Sequence, residues 1–277
     1  MSVYSVFSRT WRLVQSSFKI LMKDKELLLF PVLASIGCAA IIIAMGFVLV
    51  QDNDYQRMLL EQELLSWIWV WFFYFFNYLI IGFFSGCIVG SAIKRMLGEN
   101  PSFWDGLAAG LARFPQLCLW AAFSASVGLV LHAVERIRGI GRILAGSLGF
   151  LWSVVTYLAI PVIMVEGCGP LKTLRRSTHL LRQSWGEQLV ATFSFLGLGW
   201  LLVLPILFLA GLLSKAVGSP VVFLVLGAGW AALVGIVLSA LSSIFRASLY
   251  YFSVLKKAPP GFSEPDIKAA FELKRSF

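Results

Sequence analysis

Ionisable residues within apolar stretches mark the places where this chain could carry out chemistry, because burying a charge in hydrocarbon is costly. Glu166 and Arg246 are two such residues, and their positions allow an ion pair that we interpret as structural. His132 and His179 lie at separate polar boundaries, and neither is near a nucleophile motif. The cysteines occur singly, without the spacing of a metal site, at Cys38, Cys87, Cys118 and Cys168. We therefore predict no catalytic site, no metal and no cofactor.

The apolar composition of the chain sets its class. Hydrophobic residues make up 59% of the 277 residues and charged residues 13%, whereas roughly a quarter of the residues in a soluble domain are charged. A helix needs about 20 apolar residues to cross a bilayer. The sequence therefore predicts an all-α polytopic bundle in one domain, residues 1–255, followed by a polar tail, 256–277. The six predicted spans are 27–50, 64–93, 117–134, 143–165, 189–213 and 221–255.

Three basic amphipathic helices are predicted beside these spans, over residues 2–22, 102–114 and 170–185. Each has an apolar stripe with steps of three and four residues, which keeps the stripe on one helical face. The stripes are Tyr4, Phe7, Trp11, Val14 and Phe18, then Trp104, Leu107, Leu111, Phe114 and Cys118, then Leu171, Leu174, Thr178, Leu181 and Trp185. Such a helix lies in the membrane interface or packs beneath the bundle. Ser102 and Asp105 predict a capping box on the second helix.

The placement of these helices also suggests how the chain is organised. Because each one precedes a pair of spans, the order indicates a threefold internal repeat. Three glycines at four-residue intervals, Gly82, Gly86 and Gly90, open a groove for close helix packing. That contact lies inside the bundle or at the seam of a homo-oligomer, and we favour the former. Pro161 and Pro205 predict kinks in the fourth and fifth spans.

Lysine and arginine residues predict the orientation of the chain. They concentrate in the N-terminal segment, the second and fourth loops and the tail, whereas the first loop is acidic. By the positive-inside rule, both termini are then cytoplasmic. The net charge of +9 indicates anionic membrane lipids as partners, and not nucleic acid. The residues predicted to bind lipid or a partner protein are Arg9, Arg12, Lys19, Lys172, Arg175, Arg176 and Arg182.

A pattern at the end of the fourth span carries a resemblance to a known family. Residues 161–170 read P-x4-E-G-x-G-P, and an R-R-S core at 175–177 and S-W-G at 184–186 follow. With these motifs the chain resembles an uncharacterised family of prokaryotic six-span integral membrane proteins. The resemblance implies a multi-pass protein of the plasma (inner) membrane and supplies no activity. It departs at Lys172 and Thr173, where relatives more often have a Glu-Ala-like pair. We expect Glu166 to cap the helix that follows the motif.

These observations leave three functions open. The leading hypothesis is a non-enzymatic membrane protein that binds anionic lipid or a partner protein through its basic cytoplasmic face, with 259–277 as a second docking segment. The alternative is a transporter or permease for a small solute or lipid, based on the repeat, the proline kinks and the Glu166–Arg246 pair. A membrane enzyme comes third, because it would need a polar pocket that joins His179 and Glu166.

Overall fold

The computed structural model describes residues 15, 17–51, 63–183 and 185–255, and these ranges are all-α, with no strand. The elements, in chain order, are α1 (17–23), a 3₁₀ turn (Lys25–Leu28), α2 (Leu29–Gln51), α3 (Glu63–Met96), α4 (Phe103–Ala112), α5 (Phe114–Glu135), α6 (Gly141–Val155), α7 (Ala159–Glu166), α8 (Pro170–Gln183), α9 (Trp185–Val217), α10 (Pro220–Phe223), a π-helical segment (Leu224–Ala228) and α11 (Gly229–Leu255). Arg9, Arg12, the stripe from Tyr4 to Val14, the side chain of Trp185 and the 256–277 tail lie outside the described residues.

The predicted six-span architecture is confirmed. Within the described ranges, six helices are long and apolar enough to cross a membrane: Lys25–Phe47, Leu64–Met96, Phe114–Glu135, Gly141–Glu166, Gly199–Val217 and Val225–Leu255. Each coincides with a predicted span and differs from it mainly at the ends. The order of elements also follows the predicted repeat, because α1, α4 and α8 each precede a pair of spans. The threefold symmetry itself stays a prediction.

The fourth span is interrupted, where the sequence predicted only a kink. Residues 156–158 form a turn between α6 and α7, which places Pro161 in the first turn of α7. A continuous helix would bring the proline ring against the carbonyl of Tyr157, so the helix ends and restarts. The Thr156 hydroxyl donates a hydrogen bond to the Trp152 carbonyl at 2.7 Å. Pro205, by contrast, lies inside α9, which continues through it.

Buried side chains concentrate at one end of the bundle, which we call the basic end. There α3 and α11 finish, and α4 and α8 begin. Phe30, Ile88, Ile163 and Phe245 are at most 1% exposed and form the centre of this core. Most residues of α11 from 240 to 253 are also buried in protein. At this end the helices therefore share a buried hydrophobic core.

Toward the opposite end, large apolar side chains are exposed on the outside of the spans. Ile43 is 68% exposed, Ile143 74% and Phe208 72%. This surface forms the band that contacts lipid, because a contiguous apolar surface of this size is unfavourable in water. The 34 residues of α3 measure about 51 Å at 1.5 Å per residue, well over the ~30 Å of a hydrocarbon core. Part of α3 therefore extends beyond the hydrocarbon, into the basic end.

On the described short helices, small residues pack against the bundle, while part of each apolar stripe is exposed. On α4, Gly106 and Gly110 are buried, whereas Trp104 is 71% exposed and Leu111 56%. On α1, Ser17 is buried and Phe18 is 45% exposed. Small residues allow a close approach to the neighbouring helix, and this packing decides which face turns inward.

α8, the most basic of the three helices, buries Leu180 and Leu181, each 2% exposed, together with two small residues. Thr173 and Ser177 are fully buried, whereas Leu171 is 63% exposed. The Thr173 hydroxyl donates to the Cys168 carbonyl at 3.2 Å, and the Ser177 hydroxyl to the Val155 carbonyl at 2.6 Å. These bonds satisfy buried polar groups and fix α8 along the interrupted fourth span.

Candidate functional site

Glu166, the last residue of α7, joins three helices. Its Oε1 accepts a hydrogen bond from Arg176 Nε of α8 at 2.8 Å and another from the Tyr250 hydroxyl of α11 at 3.0 Å. The hydrogen bond that Arg176 donates to Glu166 raises the pKa of Arg176, which therefore stays charged. The sequence predicted that Glu166 caps the start of α8, and in the structure Glu166 instead binds the side chain of Arg176 within α8. Arg176 is therefore paired with Glu166, whereas the sequence predicted that it binds lipid or a partner protein.

The turn after Glu166 depends on a glycine and an arginine. Gly167 ends α7 with φ +63°, a left-handed conformation that glycine adopts without strain. Arg113 approaches this turn and donates to the carbonyls of Met164 (3.2 Å) and Val165 (3.5 Å). These carbonyls belong to the last turn of α7, where intrahelical donors are missing. A β-carbon at position 167 would overlap the Arg113 guanidinium.

The predicted Glu166–Arg246 ion pair does not form. Arg246 lies one helical turn before Tyr250 on α11, so Tyr250, and not Arg246, reaches the carboxylate. The Arg246 guanidinium stacks instead on the ring of Tyr157, with its Cζ 4.9 Å from the ring centroid. This cation–π contact lies beside the interruption in the fourth span and connects it to α11.

A second polar cluster joins the start of the chain to the end of α3. Both carboxylate oxygens of Asp24 accept from the guanidinium of Arg95, which donates from Nε at 2.6 Å and from Nη2. Glu26 Oε2 accepts from the backbone N–H of Phe103 at 3.0 Å, at the start of α4. Lys94 pairs with Asp105 at 2.8 Å. Each acid therefore ties the N-terminal segment or α3 to a neighbouring element.

The predicted capping box of α4 is present. The Ser102 side chain accepts from the backbone N–H of Asp105, and the Asp105 side chain accepts from the backbone N–H of Ser102. The bond from Lys94, followed by the bonds from Ser102, holds the pKa of Asp105 well below its usual range. Asp105 thus remains charged beside Lys94. Asp105 and Asp24 therefore neutralise the charges of Lys94 and Arg95, two of the basic residues from which the sequence predicted the orientation.

Of the remaining predicted basic residues, those that the structure describes are exposed. Lys172, Arg175 and Arg182 are exposed along one side of α8, opposite its buried Thr173 and Ser177. Lys19 is exposed on α1. The structure thus separates the predicted set into an outward-facing group and Arg176, which is paired with Glu166.

The predicted glycine groove on α3 faces other helices of the same chain. An added methyl would lie 3.6 Å from Ile160 Cδ1 at Gly82, 2.9 Å from Met164 Sδ at Gly86, and 2.8 Å from Ala109 Cβ at Gly90. The contacts are therefore intramolecular.

A second glycine pair, which the sequence reasoning missed, faces α3 from α4. A methyl at Gly106 would overlap Ser91 Oγ, and a methyl at Gly110 would lie 2.5 Å from Cys87 Sγ. Residues 106–110 form the same G-x-x-x-G pattern as the α3 groove, so the signal was present in the sequence.

A bundle of six candidate spans defines this chain as a polytopic integral membrane protein. Its sequence matches the family of unknown function DUF6159 over residues 64–259, and the chain belongs to that family. No curated protein matches it. The predicted membership of an uncharacterised family of membrane proteins is therefore confirmed. The prokaryotic membrane, the orientation and the absence of a catalytic, cofactor or metal site stay predictions.

Proposed function

We propose that the protein binds anionic phospholipid headgroups through the exposed basic side of α8, as a non-enzymatic protein of the prokaryotic inner membrane. The observation that carries this proposal is the division of basic residues at this end of the bundle. Lys94, Arg95 and Arg176 are paired with acids, whereas Lys172 and Arg175 are exposed on one side of a single helix. Each basic residue near an anionic leaflet contributes about 1 kcal/mol of attraction.

The fixed position of α8 supports this binding mode. Its inner face is held by the hydrogen bonds of Thr173 and Ser177, so the outer face keeps one orientation. Leu171 is 63% exposed beside Lys172, and Trp104 of α4 is 71% exposed at the same end. Exposed apolar and aromatic side chains beside lysine and arginine are typical of the membrane interface. In the proposed orientation this interface belongs to the cytoplasmic leaflet.

A charge-neutralising double variant tests the proposal. Lys172→Gln with Arg175→Gln removes two charges worth about 2 kcal/mol together, so affinity for phosphatidylglycerol should fall by roughly 30-fold. Arg176 is left intact because its loss would break the contact with Glu166. The measurement is the titration of purified protein in mixed micelles, with phosphatidylglycerol or phosphatidylcholine, followed by native mass spectrometry.

The matched control neutralises two exposed arginines at the opposite end, Arg138→Gln with Arg142→Gln, and should keep the wild-type preference for phosphatidylglycerol. Equal affinities for phosphatidylglycerol in the two double variants would reject headgroup binding by α8. A protein partner on the same surface would then become the better explanation for its exposed charge.

The transporter alternative has one structural observation in its favour. The fourth span is interrupted at 156–158 and the last span begins with a π-helical segment, Leu224–Ala228, and such irregularities are frequent at functional sites. The basic end, however, is filled by the buried core around Phe30, Ile163 and Phe245. We therefore place transport second.

A further inference from the structure

An apolar groove lies on the outside of the bundle where α1 meets α9 and α11. It has a volume of about 710 Å³, which is within the usual range for a site that holds a small molecule. Phe18 and Lys19 of α1 form one end, and Leu202 of α9 with Trp230 and Leu241 of α11 form the walls. Among the lining residues that the structure describes, Lys19 is the one with a charge. The groove thus combines a long apolar surface with the positive charge of Lys19.

The dimensions of the groove match one leaflet of a bilayer. Its lining on α11 extends over eleven residues, from Trp230 to Leu241, which is about 16 Å at 1.5 Å per residue. Half of a hydrocarbon core of ~30 Å is about 15 Å. The groove therefore has the length that the acyl chains of a single leaflet occupy.

The position of the groove gives it access to lipid. Leu202 is 42% exposed, Leu233 53% and Trp230 38%, so its open side continues the apolar band that contacts the membrane. The Trp230 indole donates to the Leu202 carbonyl at 2.9 Å and fixes α9 to α11 at the far end. Leu241, at the near end, belongs to the buried core of the basic end. Ile20 and Leu21, next to Lys19 on α1, belong to the same core, so Lys19 lies where this core meets the lipid-facing band.

We propose that this groove is a defined site for one anionic glycerophospholipid, whose acyl chain lies along α11 and whose phosphate pairs with Lys19. The proposal rests on the anionic-lipid preference of the proposed function and adds a second site, on a different helix from Lys172 and Arg175. The apolar walls provide binding that does not depend on the headgroup. The ammonium group of Lys19 provides the preference for an anionic headgroup.

Site-specific crosslinking tests this assignment. The probe is phosphatidylglycerol with a diazirine near the end of one acyl chain, added to the full-length protein in nanodiscs, and the crosslinked peptides are mapped by mass spectrometry. We expect crosslinks in the peptide that holds Trp230 and Leu233. Lys19→Gln should reduce them about fivefold, since one charge contributes about 1 kcal/mol. Lys23→Gln, one turn further along α1, should leave the crosslinks of phosphatidylglycerol unchanged. Crosslinking by phosphatidylcholine with the same diazirine should be affected by neither variant.

A second pair of variants tests the apolar part of the site. Leu233→Trp fills the groove and should reduce crosslinking by both lipids, whereas Leu201→Trp, on a 69% exposed position of α9 outside the groove, should not. Equal yields for Leu233→Trp and Leu201→Trp, or for Lys19→Gln and Lys23→Gln, would overturn the proposal. If the α8 double variant loses affinity while Lys19→Gln has no effect, the proposed function stands and the groove site fails. The reverse result would support the groove and reject headgroup binding by α8.

Discussion

At the scale of single residues, hydrogen bonds at the turn 166–169 join α7 to α8, α11 and the start of α5. One carboxylate, Glu166, bonds to Arg176 and Tyr250 on two different helices. Arg113 reaches the same turn from the N-terminal side of α5 and satisfies carbonyls at the end of α7. Gly167 allows both arrangements, because its lack of a side chain permits the left-handed backbone and leaves room for the guanidinium.

Alanine in place of Gly167 should therefore destabilise the protein for two reasons. The left-handed backbone costs about 1 kcal/mol, and displacement of Arg113 removes two hydrogen bonds of about 1 kcal/mol each. Gly98→Ala is the matched control, since Gly98 has φ +92° with no atom within 4 Å of an added methyl. Thermal unfolding in detergent should give a clearly lower Tm for Gly167→Ala than for Gly98→Ala. Equal Tm values would mean that Arg113 adapts without loss.

At the scale of elements, small residues decide how the short helices attach to the bundle. Gly106 of α4 lies against Ser91 and Phe30, and Ser177 of α8 donates to the Val155 carbonyl. Ser17 of α1 is likewise buried. Small residues lie on the inner face of each of these helices, on α1 and α8 beside buried apolar residues such as Leu21 and Leu181, and large side chains such as Trp104 remain outside. These exposed side chains are then available to the membrane interface.

A single methyl group should weaken the contact between α3 and α4. Gly106→Ala places a β-carbon in overlap with Ser91 and 2.8 Å from Phe30 Cζ, and Phe30 is fully buried. Overpacking of this kind costs typically about 1–3 kcal/mol. Gly146→Ala on α6, which has no neighbour within 4 Å, should be neutral or stabilising by up to about 1 kcal/mol. A Tm for Gly106→Ala at or above that of Gly146→Ala would contradict this packing argument.

At the scale of the whole molecule, the bundle has a densely packed basic end and an outer band that contacts lipid. The core around Phe30 and Phe245 closes the basic end, whereas Ile143 and Phe208 are exposed in the band. The long spans α3 and α11 belong to both parts. In the proposed orientation, the exposed basic side of α8 then lies just outside the hydrocarbon, where headgroups are found.

The orientation of this arrangement can be measured by cysteine labelling. In a chain without its native cysteines, Arg138→Cys should react with a membrane-impermeant maleimide in intact cells, and Lys172→Cys only after the membrane is opened. The basic end carries the excess of lysine and arginine, so the positive-inside rule predicts that it faces the cytoplasm. Labelling of Lys172→Cys in intact cells would show the opposite orientation, and the lipid sites would then belong to the other leaflet.

The sequence by itself determined the features that depend on local composition. The six spans follow from the summed hydropathy of about 20 residues each, and the Ser102–Asp105 box follows from a spacing within one turn. The glycine spacing on α3 predicted close packing, and its neighbours Ile160 and Met164 belong to the same chain. Each of these signals is short-range, so no knowledge of the fold is needed to interpret it.

Only the tertiary structure decided which groups meet and which faces turn inward. Glu166 pairs with Arg176 and Tyr250, and not with Arg246, because one helical turn separates the two positions on α11. On α4 the small residues Gly106 and Gly110 are buried and Trp104 and Leu111 of the apolar stripe are exposed, because lipid accepts an apolar side chain as readily as a protein core does. Hydrophobicity therefore cannot distinguish a packed face from a lipid-facing face in this protein. The close fit of Gly106 and Gly110 against α3 makes that distinction, and it exists only once the helices are assembled.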